Sequence, residues 1–448
     1  MGRKRIDRTL HIIHPNAAGI DVGKSKHYVA VDPRWGDDSV RSFEAFTDDM
    51  HALAEWLRQC EVEVVAMEAT GVYWIPLFEV LDRAGFEVHL VNPRATKQVS
   101  GRKSDVLDCQ WIWQLMSYGL LKGAFRPPDE ICELRSFVRQ RGRLTKDSAR
   151  VTQQMQKALT EMNVQLDNVL SDITGKTGMA ILRAIIAGER DGEQLARFRD
   201  RRVKADEATI ARSLRGNWRA EHLFALAQAL ERYNLFQAQI AACDGHIAEQ
   251  LEVLGSTIDD DNPTYNGRTR KERVLQQSLH ATLGVDLTAI PTIGIETALV
   301  IAAEIGPDLS RFPSQQHFCS WLNLAPGTRI SGDKRIGGPP VSRSNRAGQA
   351  LRMAAANARH SQSFIGAAHR ARLQRLDTGR AVKATAHQLA RLIYAMLTRG
   401  EDYVERGISE FEERRRHKQI RNLKRQAAQL GATVTFKDPQ NTASGDVP

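Results

Sequence analysis

The sequence predicts an α/β domain at its N-terminus followed by an all-α remainder. Three observations predict this. Short β-type runs alternate with amphipathic helices over residues 17–92, the texture of a largely buried sheet flanked by helices. Two long stretches, residues 129–170 and 219–254, keep their apolar residues mostly three and four apart, as long helices do. Of 448 residues, 42% are apolar and 26% charged, a composition that supplies a real core for roughly three units of domain size.

In chain order, residues 19–23 open a strand and residues 27–32 return beside it as a hairpin. A third strand fits residues 40–46, and a helix fits residues 48–59. Residues 62–67, apolar but for Glu63, read as a buried central strand, and residues 86–91 read as another. The order β-β-β-α-β-α-β is that of a ribonuclease-H-like fold. A helix over residues 104–118 follows, and Pro127-Pro128 close this part.

The expected division is 1–125 for the α/β domain, 126–285 for a long helical connector, 286–400 for a mainly helical C-terminal domain and 401–448 for a basic, partly disordered tail. Within the connector, Leu223, Leu226, Leu230, Tyr233, Leu235, Ile240, Ile247 and Leu251 suggest a coiled-coil-like seam. The two long helices would form an antiparallel pair, a dimerising coiled coil or part of an ordinary bundle. Asp259-Asp260-Asp261-Asn262-Pro263 and the polar residues after them read as a surface loop, and helix resumes from Leu287. Residues 290–298 resemble a helix-hairpin-helix element, in which the turn at Gly294 could hold a DNA phosphate. A plain helix-helix corner fits them equally. His387 and the apolar residues through Tyr394 read as a packed helix.

Lys and Arg outnumber Asp and Glu by 63 to 53, and the isoelectric point is near 9.5. That balance favours a polyanionic partner, nucleic acid before membrane. No run approaches the ~20 apolar residues needed to span a bilayer, and the opening MGRKRIDRTLHIIHP has no apolar core of signal-peptide length. A cytoplasmic protein without membrane contact is expected. The five cysteines, Cys60, Cys109, Cys132, Cys243 and Cys319, are scattered and include no CxxC pair, which argues against a disulfide framework or a zinc knuckle.

Two groups of residues carry chemistry. Asp21 sits in the first strand and Glu68 ends the buried strand, while Asp105 and Asp108 are three apart on the following helix and share a face. If the strands are neighbours, these carboxylates could hold two Mg²⁺ ions roughly 3.5–4 Å apart, a clamp for a phosphodiester. Taken singly, an Asp in a strand or an Asp pair on a helix is more commonly a solvated surface feature. The second group is Gly327-Thr328-Arg329-Ile330-Ser331-Gly332-Asp333-Lys334-Arg335, where a serine before glycine is sterically open and flanked by cations that would steady a phosphate. Ser-Gly is also a common turn dipeptide. Arg343, Arg346 and Arg352 fit contacts to backbone phosphates, or a solvated helix face.

At these residues the chain resembles the DEDD transposases of the insertion-sequence-110 type, which join a RuvC-like domain to a serine-bearing transposase domain. The resemblance rests on GIDVGKSKHYVAVD, MEATGVYW, VNPRATKQ, KSDVLDCQWI, IPTIGIETALVIAAEIG and WLNLAPGTRISGDKRIGG, in that order. It departs from the family pattern at Ser104, where Thr is usual, at Cys109, where Ala is usual, and at Asp333, where a second Gly is common. The resemblance implies that Asp21, Glu68, Asp105 and Asp108 bind Mg²⁺, and that Ser331 is the nucleophile that becomes linked to DNA. It also implies binding of element-end and target DNA, a noncoding guide RNA encoded by the element, and a prokaryotic, nucleoid-associated location. A homodimer or homotetramer is expected from the helical arms and the need to handle two duplexes. Lys334 and Arg335 beside the serine, with Gly294, Arg343, Arg346 and Arg352, are the expected nucleic-acid contacts. Two rival readings remain at this point: a ribonuclease-H-type nuclease or transposase using water or a 3′-hydroxyl, and a non-catalytic nucleic-acid-binding scaffold.

Overall fold

The computed structural model describes residues 11–69, 71–92, 105–255, 265, 267–325, 329–332, 334–336, 345–401, 413, 416–417, 420–429 and 431–433. The chain divides into two compact units, Met1–Arg126 and Pro127–Pro448.

The first unit is built on a five-stranded sheet. Its strands are β1 (Ala17–Val22), β2 (Lys26–Ala30), β3 (Val40–Glu44), β4 (Val64–Glu68) and β5 (Glu87–Val91), in the spatial order β3-β2-β1-β4-β5. β1, β2 and β3 form an antiparallel meander, its first turn closed by the Gly23 N–H donating to the Lys26 carbonyl at 3.0 Å. β4 and β5 then add in parallel to β1. The helices α1 (Thr47–Gln59) and α2 (Trp74–Arg83) supply the crossovers that parallel strands require, and α3 (Asp105–Ser117) follows β5.

Strand alternation assigns the two faces of this sheet. Ala18, Ile20 and Val22 of β1 and Val65 and Met67 of β4 pack with Leu53 and Leu57 of α1 and with Leu77 and Leu81 of α2. The intervening residues Ala17, Val64 and Ala66 pack with Ile112 and Met116 of α3 on the opposite face. Both faces of the central strands are therefore buried, which explains why β4 lacks the alternation of a half-exposed strand.

Gly19 sets how closely α3 lies on the sheet. A Cβ at this position would overlap the Trp113 amide nitrogen and the Cys109 carbonyl oxygen, and would lie 2.7 Å from the Trp113 Cα. The obstacles are backbone atoms, which no rotamer change can move.

In the second unit, α4 (Asp129–Glu161) ends where Asn163 enters the left-handed region at φ 57°, earlier than the expected limit near residue 170. It is followed by α5 (Leu166–Val169), α6 (Lys176–Ile186), α7 (Gly192–Ala196), α8 (Glu207–Ser213) and the second long helix, α9 (Ala220–Leu254). The two long helices pair antiparallel. Glu130 meets Gln250, Arg141 meets Asp244, Ser148 meets Gln237 and Gln154 meets Arg232, so numbers rise along one helix as they fall along the other. Of the expected seam, Leu226, Leu230, Ile247 and Leu251 are buried, whereas Leu235 is 54% exposed. At one end of the pair, Met155, Leu159, Leu182, Ile185, Leu195, Ile210 and Leu226 share a core with α6 to α8.

The polar stretch expected to be loop contains a helix, α10 (Arg270–Leu283), opened by a reciprocal capping box between Thr269 and Glu272. The T-x-x-E spacing in the sequence is its signature. The Asp259–Asp261 run itself lies outside the described residues. The remaining elements are α11 (Ile295–Ile305), α12 (Gln315–Trp321), β6 (Arg329–Ser331), β7 (Lys334–Ile336), α13 (Arg346–Asn357), α14 (Phe364–Leu373) and α15 (Thr378–Arg399).

α11 is fastened to α4 by charge. Glu304 is only 6% exposed and accepts from Arg139 Nε at 2.8 Å and Arg139 Nη2 at 2.7 Å. Arg135 donates to the carbonyls of Ala303 at 3.3 Å and Glu304 at 2.8 Å, so the last turn of α11 has partners for its free carbonyls. Arg141 makes a bidentate pair with Glu296 at 2.8 and 3.0 Å.

Two stability outcomes follow from these contacts. Gly19→Ala is expected to lower the unfolding free energy by about 1–3 kcal/mol, the usual cost of overpacking, read by urea titration; unchanged stability would contradict the close approach of α3. Glu304→Ala leaves two arginines without their buried partner and is expected to cost about 3–5 kcal/mol, read as a lowered melting temperature.

Candidate functional site

The face of the sheet covered by α3 is the one to which β1 and β4 turn two of the predicted carboxylates. Ala17 and Gly19 of β1 face α3, so alternation turns Asp21 to the same side. Val64 and Ala66 of β4 do likewise, and Glu68 follows by the same rule. The parallel register pairs Ile20 with Met67, which makes Asp21 and Glu68 the next neighbours, at the C-terminal ends of two adjacent parallel strands. Ligands of open α/β sheets bind at such ends.

α3 brings the third carboxylate. Asp108 immediately precedes Cys109, whose carbonyl lies against Gly19. The Cys109 thiol is fully buried and its pKa is pushed up to about 12, first by that burial and then by the negative charge of Asp21, with a smaller contribution from Asp108. Asp21 and Asp108 therefore act on one point from the strand and the helix. Asp105 is the first residue of α3, one turn before Asp108; its side chain lies outside the described residues.

A donor set made only of carboxylate oxygens suits a hard divalent cation. Among the described residues, which include the side chains of Asp21, Glu68 and Asp108, no three His, Cys, Asp or Glu side chains converge closely enough to hold a metal.

Two residues of this face were not singled out from the sequence. Gly19 admits the helix that carries Asp108, and Tyr28 is the antiparallel partner of Asp21 across β1 and β2. The signal for Tyr28 was the hairpin register, which places residues 21 and 28 opposite each other once the turn is centred on residues 24 and 25.

The segment around Ser331 belongs to the second unit. It was expected as a loop and forms a two-stranded hairpin, with Ser331 paired to Lys334 and Gly332 in the left-handed region at φ 57°. Such a reversal needs positive φ in the turn, which glycine adopts without a Cβ penalty. Arg335 pairs with Ile330 one step further from the turn. Asp333 and Arg343 lie outside the described residues, as does Ser104.

Gly294 is the N-cap of α11 with φ −92°, and the left-handed residue of that turn is Thr292 at φ 76°. Glycine is thus not required there by backbone geometry. Arg346 is exposed at the start of α13 and Arg352 is half-buried further along it. Six residues apart on a helix, they point in different directions and form no single stripe.

Two models of known protein families match the chain. Residues 18–164 match the transposase model of the IS110 DEDD type, and residues 286–370 match the transposase model of the IS116/IS110/IS902 family. Together the two matches span more than half of the chain. No curated protein matches it. An enzyme that moves DNA segments is the class these matches define. The chain belongs to the IS110-type transposases, and DNA is its partner. A domain of the DEDD type points to a divalent metal cofactor, in keeping with the carboxylate face of the sheet. No helix among the described residues is long and apolar enough to cross a membrane.

Proposed function

We propose that this transposase cuts and rejoins DNA strands through a covalent phosphoserine intermediate, with Ser331 as nucleophile. Asp21, Glu68, Asp105 and Asp108 would hold Mg²⁺, which when bound acts as a Lewis acid on a phosphoryl oxygen. The observation that carries this reading is the position of Asp21 and Glu68 on neighbouring strand ends, under the helix that bears Asp105 and Asp108. The sheet order β3-β2-β1-β4-β5 supports a ribonuclease-H-like, RuvC-like domain.

Ser331 Oγ attacks the phosphorus of a phosphodiester, its proton is lost, and one DNA oxygen leaves as a hydroxyl. A hydroxyl from the other DNA strand then attacks the phosphoserine and returns the serine. The number of phosphodiester bonds is conserved, so no nucleotide cofactor is consumed. Lys334, the hairpin partner of Ser331, and Arg335 are cations suited to the phosphate, and Gly294, Arg343, Arg346 and Arg352 complete the proposed contacts to nucleic acid. A noncoding RNA encoded by the element would select the DNA sites. The antiparallel pair of α4 and α9 is compatible with coiled-coil arms in a homodimer or homotetramer.

The test mixes the full-length protein, co-expressed with the noncoding sequence flanking its gene, with Mg²⁺ and labelled DNA spanning the element junction. On a denaturing gel, wild type is expected to give a protein-linked DNA band that maps to Ser331 by mass spectrometry. Ser331→Ala is expected to lose the band while keeping nucleic-acid affinity within a few-fold, and Asp21→Asn to lose cleavage. Cleaved DNA without any adduct would replace the serine mechanism by attack of water or a 3′-hydroxyl.

A further inference from the structure

One region rich in positive charge is the helical segment 345–401. Residues 345–401 contain ten Lys and Arg against two Asp and Glu, a surplus of eight. The structure shows how part of this charge is arranged on α14 and α15, which lie in the same unit and share the buried pair His369 and Thr385.

Arg372 is the centre of the arrangement. It is half-buried, yet its guanidinium donates only to neutral side chains, Thr385 Oγ1 at 2.9 Å and Gln388 Oε1 at 2.6 Å. Burial holds its pKa below the ordinary arginine value. Arg370 donates to the carbonyls of Ser361 at 2.7 Å and Arg359 at 3.0 Å, and Arg391 donates to Gln315 Oε1 at 3.0 Å. The ion pair between Arg380 and Asp377 uses none of these cations. Among the described residues, no carboxylate is paired with Arg359, Arg370, Arg372, Lys383 or Arg391.

Lys383, His387 and Arg391 occupy successive turns of one face of α15. The imidazole of His387 is held below its usual pKa first by burial, then by the charges of Arg391, Arg372 and Lys383. His369 is lowered likewise by burial, then by Arg372, Arg359 and Arg370. The two histidines are thus neutral members of a connected cationic face. Like charges held together without counter-charges oppose folding, and a guanidinium held by neutral acceptors keeps its full charge for an incoming anion. From Lys383 to Arg391 the cations extend about 12 Å along the helix axis, so they suit a linear polyanion better than a single anion.

We infer that this face of α14 and α15, with Arg372, Lys383 and Arg391 at its centre, binds the phosphodiester backbone of a nucleic acid. It takes no part in strand chemistry, and nothing in it depends on Ser331 or the carboxylates. DNA and RNA share the recognised group, and the test separates them.

The experiment measures anisotropy of a labelled DNA duplex and of a labelled RNA hairpin with the full chain between about 50 and 200 mM salt. The double variant Lys383→Gln/Arg391→Gln carries the test, because both positions accept glutamine without loss of helix propensity. On the duplex, its log–log salt slope is expected to fall by about 1.8, close to 0.9 per lost phosphate contact, with affinity roughly ten-fold lower. Loss confined to the duplex assigns the face to DNA, and loss confined to the hairpin assigns it to RNA. Arg372→Gln, checked for native helicity by circular dichroism, is expected to act in the same direction. Lys157→Gln, whose partner is Glu161 on α4, is the control for net charge and is expected to leave the slope unchanged. Unchanged slopes for the double variant on both probes, or an equal loss in the control, would overturn the inference. Either result is separable from the serine mechanism, which stands or falls on the adduct formed by wild type.

Discussion

The contact between α3 and β1 is one of backbone against backbone, and the carboxylate face depends on it. A glycine at residue 19 lets the helix descend until its own main chain meets the strand. At ordinary side-chain spacing, helix and sheet would leave Cys109 further from Asp21, whose charge raises the pKa of its buried thiol. A single missing Cβ thus sets the depth at which the helix that carries Asp108 lies on the strand that carries Asp21. The apolar residues Ile112 and Met116, sealed against Ala17, Val64 and Ala66, hold the helix there by burial of nonpolar surface.

Much of the first unit was legible in the sequence, because each of its strands has a local signal. Residues 62–67 are apolar but for Glu63, and the structure buries both sides of β4, with Glu68 as its last residue. The order of strands and helices restricted the pairings enough to place Asp21 and Glu68 side by side. What could not be read was the depth at which α3 sits. That depth depends on Gly19, and a glycine in a strand also fits a bulge or a bend.

The second unit was less legible, for reasons that differ by element. The long helices announced themselves by periodicity, but the seam did not predict Leu235, which is exposed where α9 has only one long partner beside it. α10 was hidden by its polar composition, although its capping box was present in the sequence. The hairpin around Ser331 has strands of three residues each, too short for alternation to register. The setting of Arg372 could not be read from the sequence because its partners, Thr385 and Gln388, lie thirteen and sixteen residues away on the next helix.

The arginines at 135, 139 and 141 give α4 a further property. They fix one end of the helix to both ends of α11, through Glu296 and Glu304, while the other end is embedded in the small helical core around Met155 and Leu159. Between Arg141 and Met155, α4 is a continuous strut about 21 Å long. A strut gripped at both ends converts a small tilt at one grip into a displacement of several ångströms at the other. The helical core around Met155 and the two ends of α11 are thereby held to one continuous helix, with no loop between them.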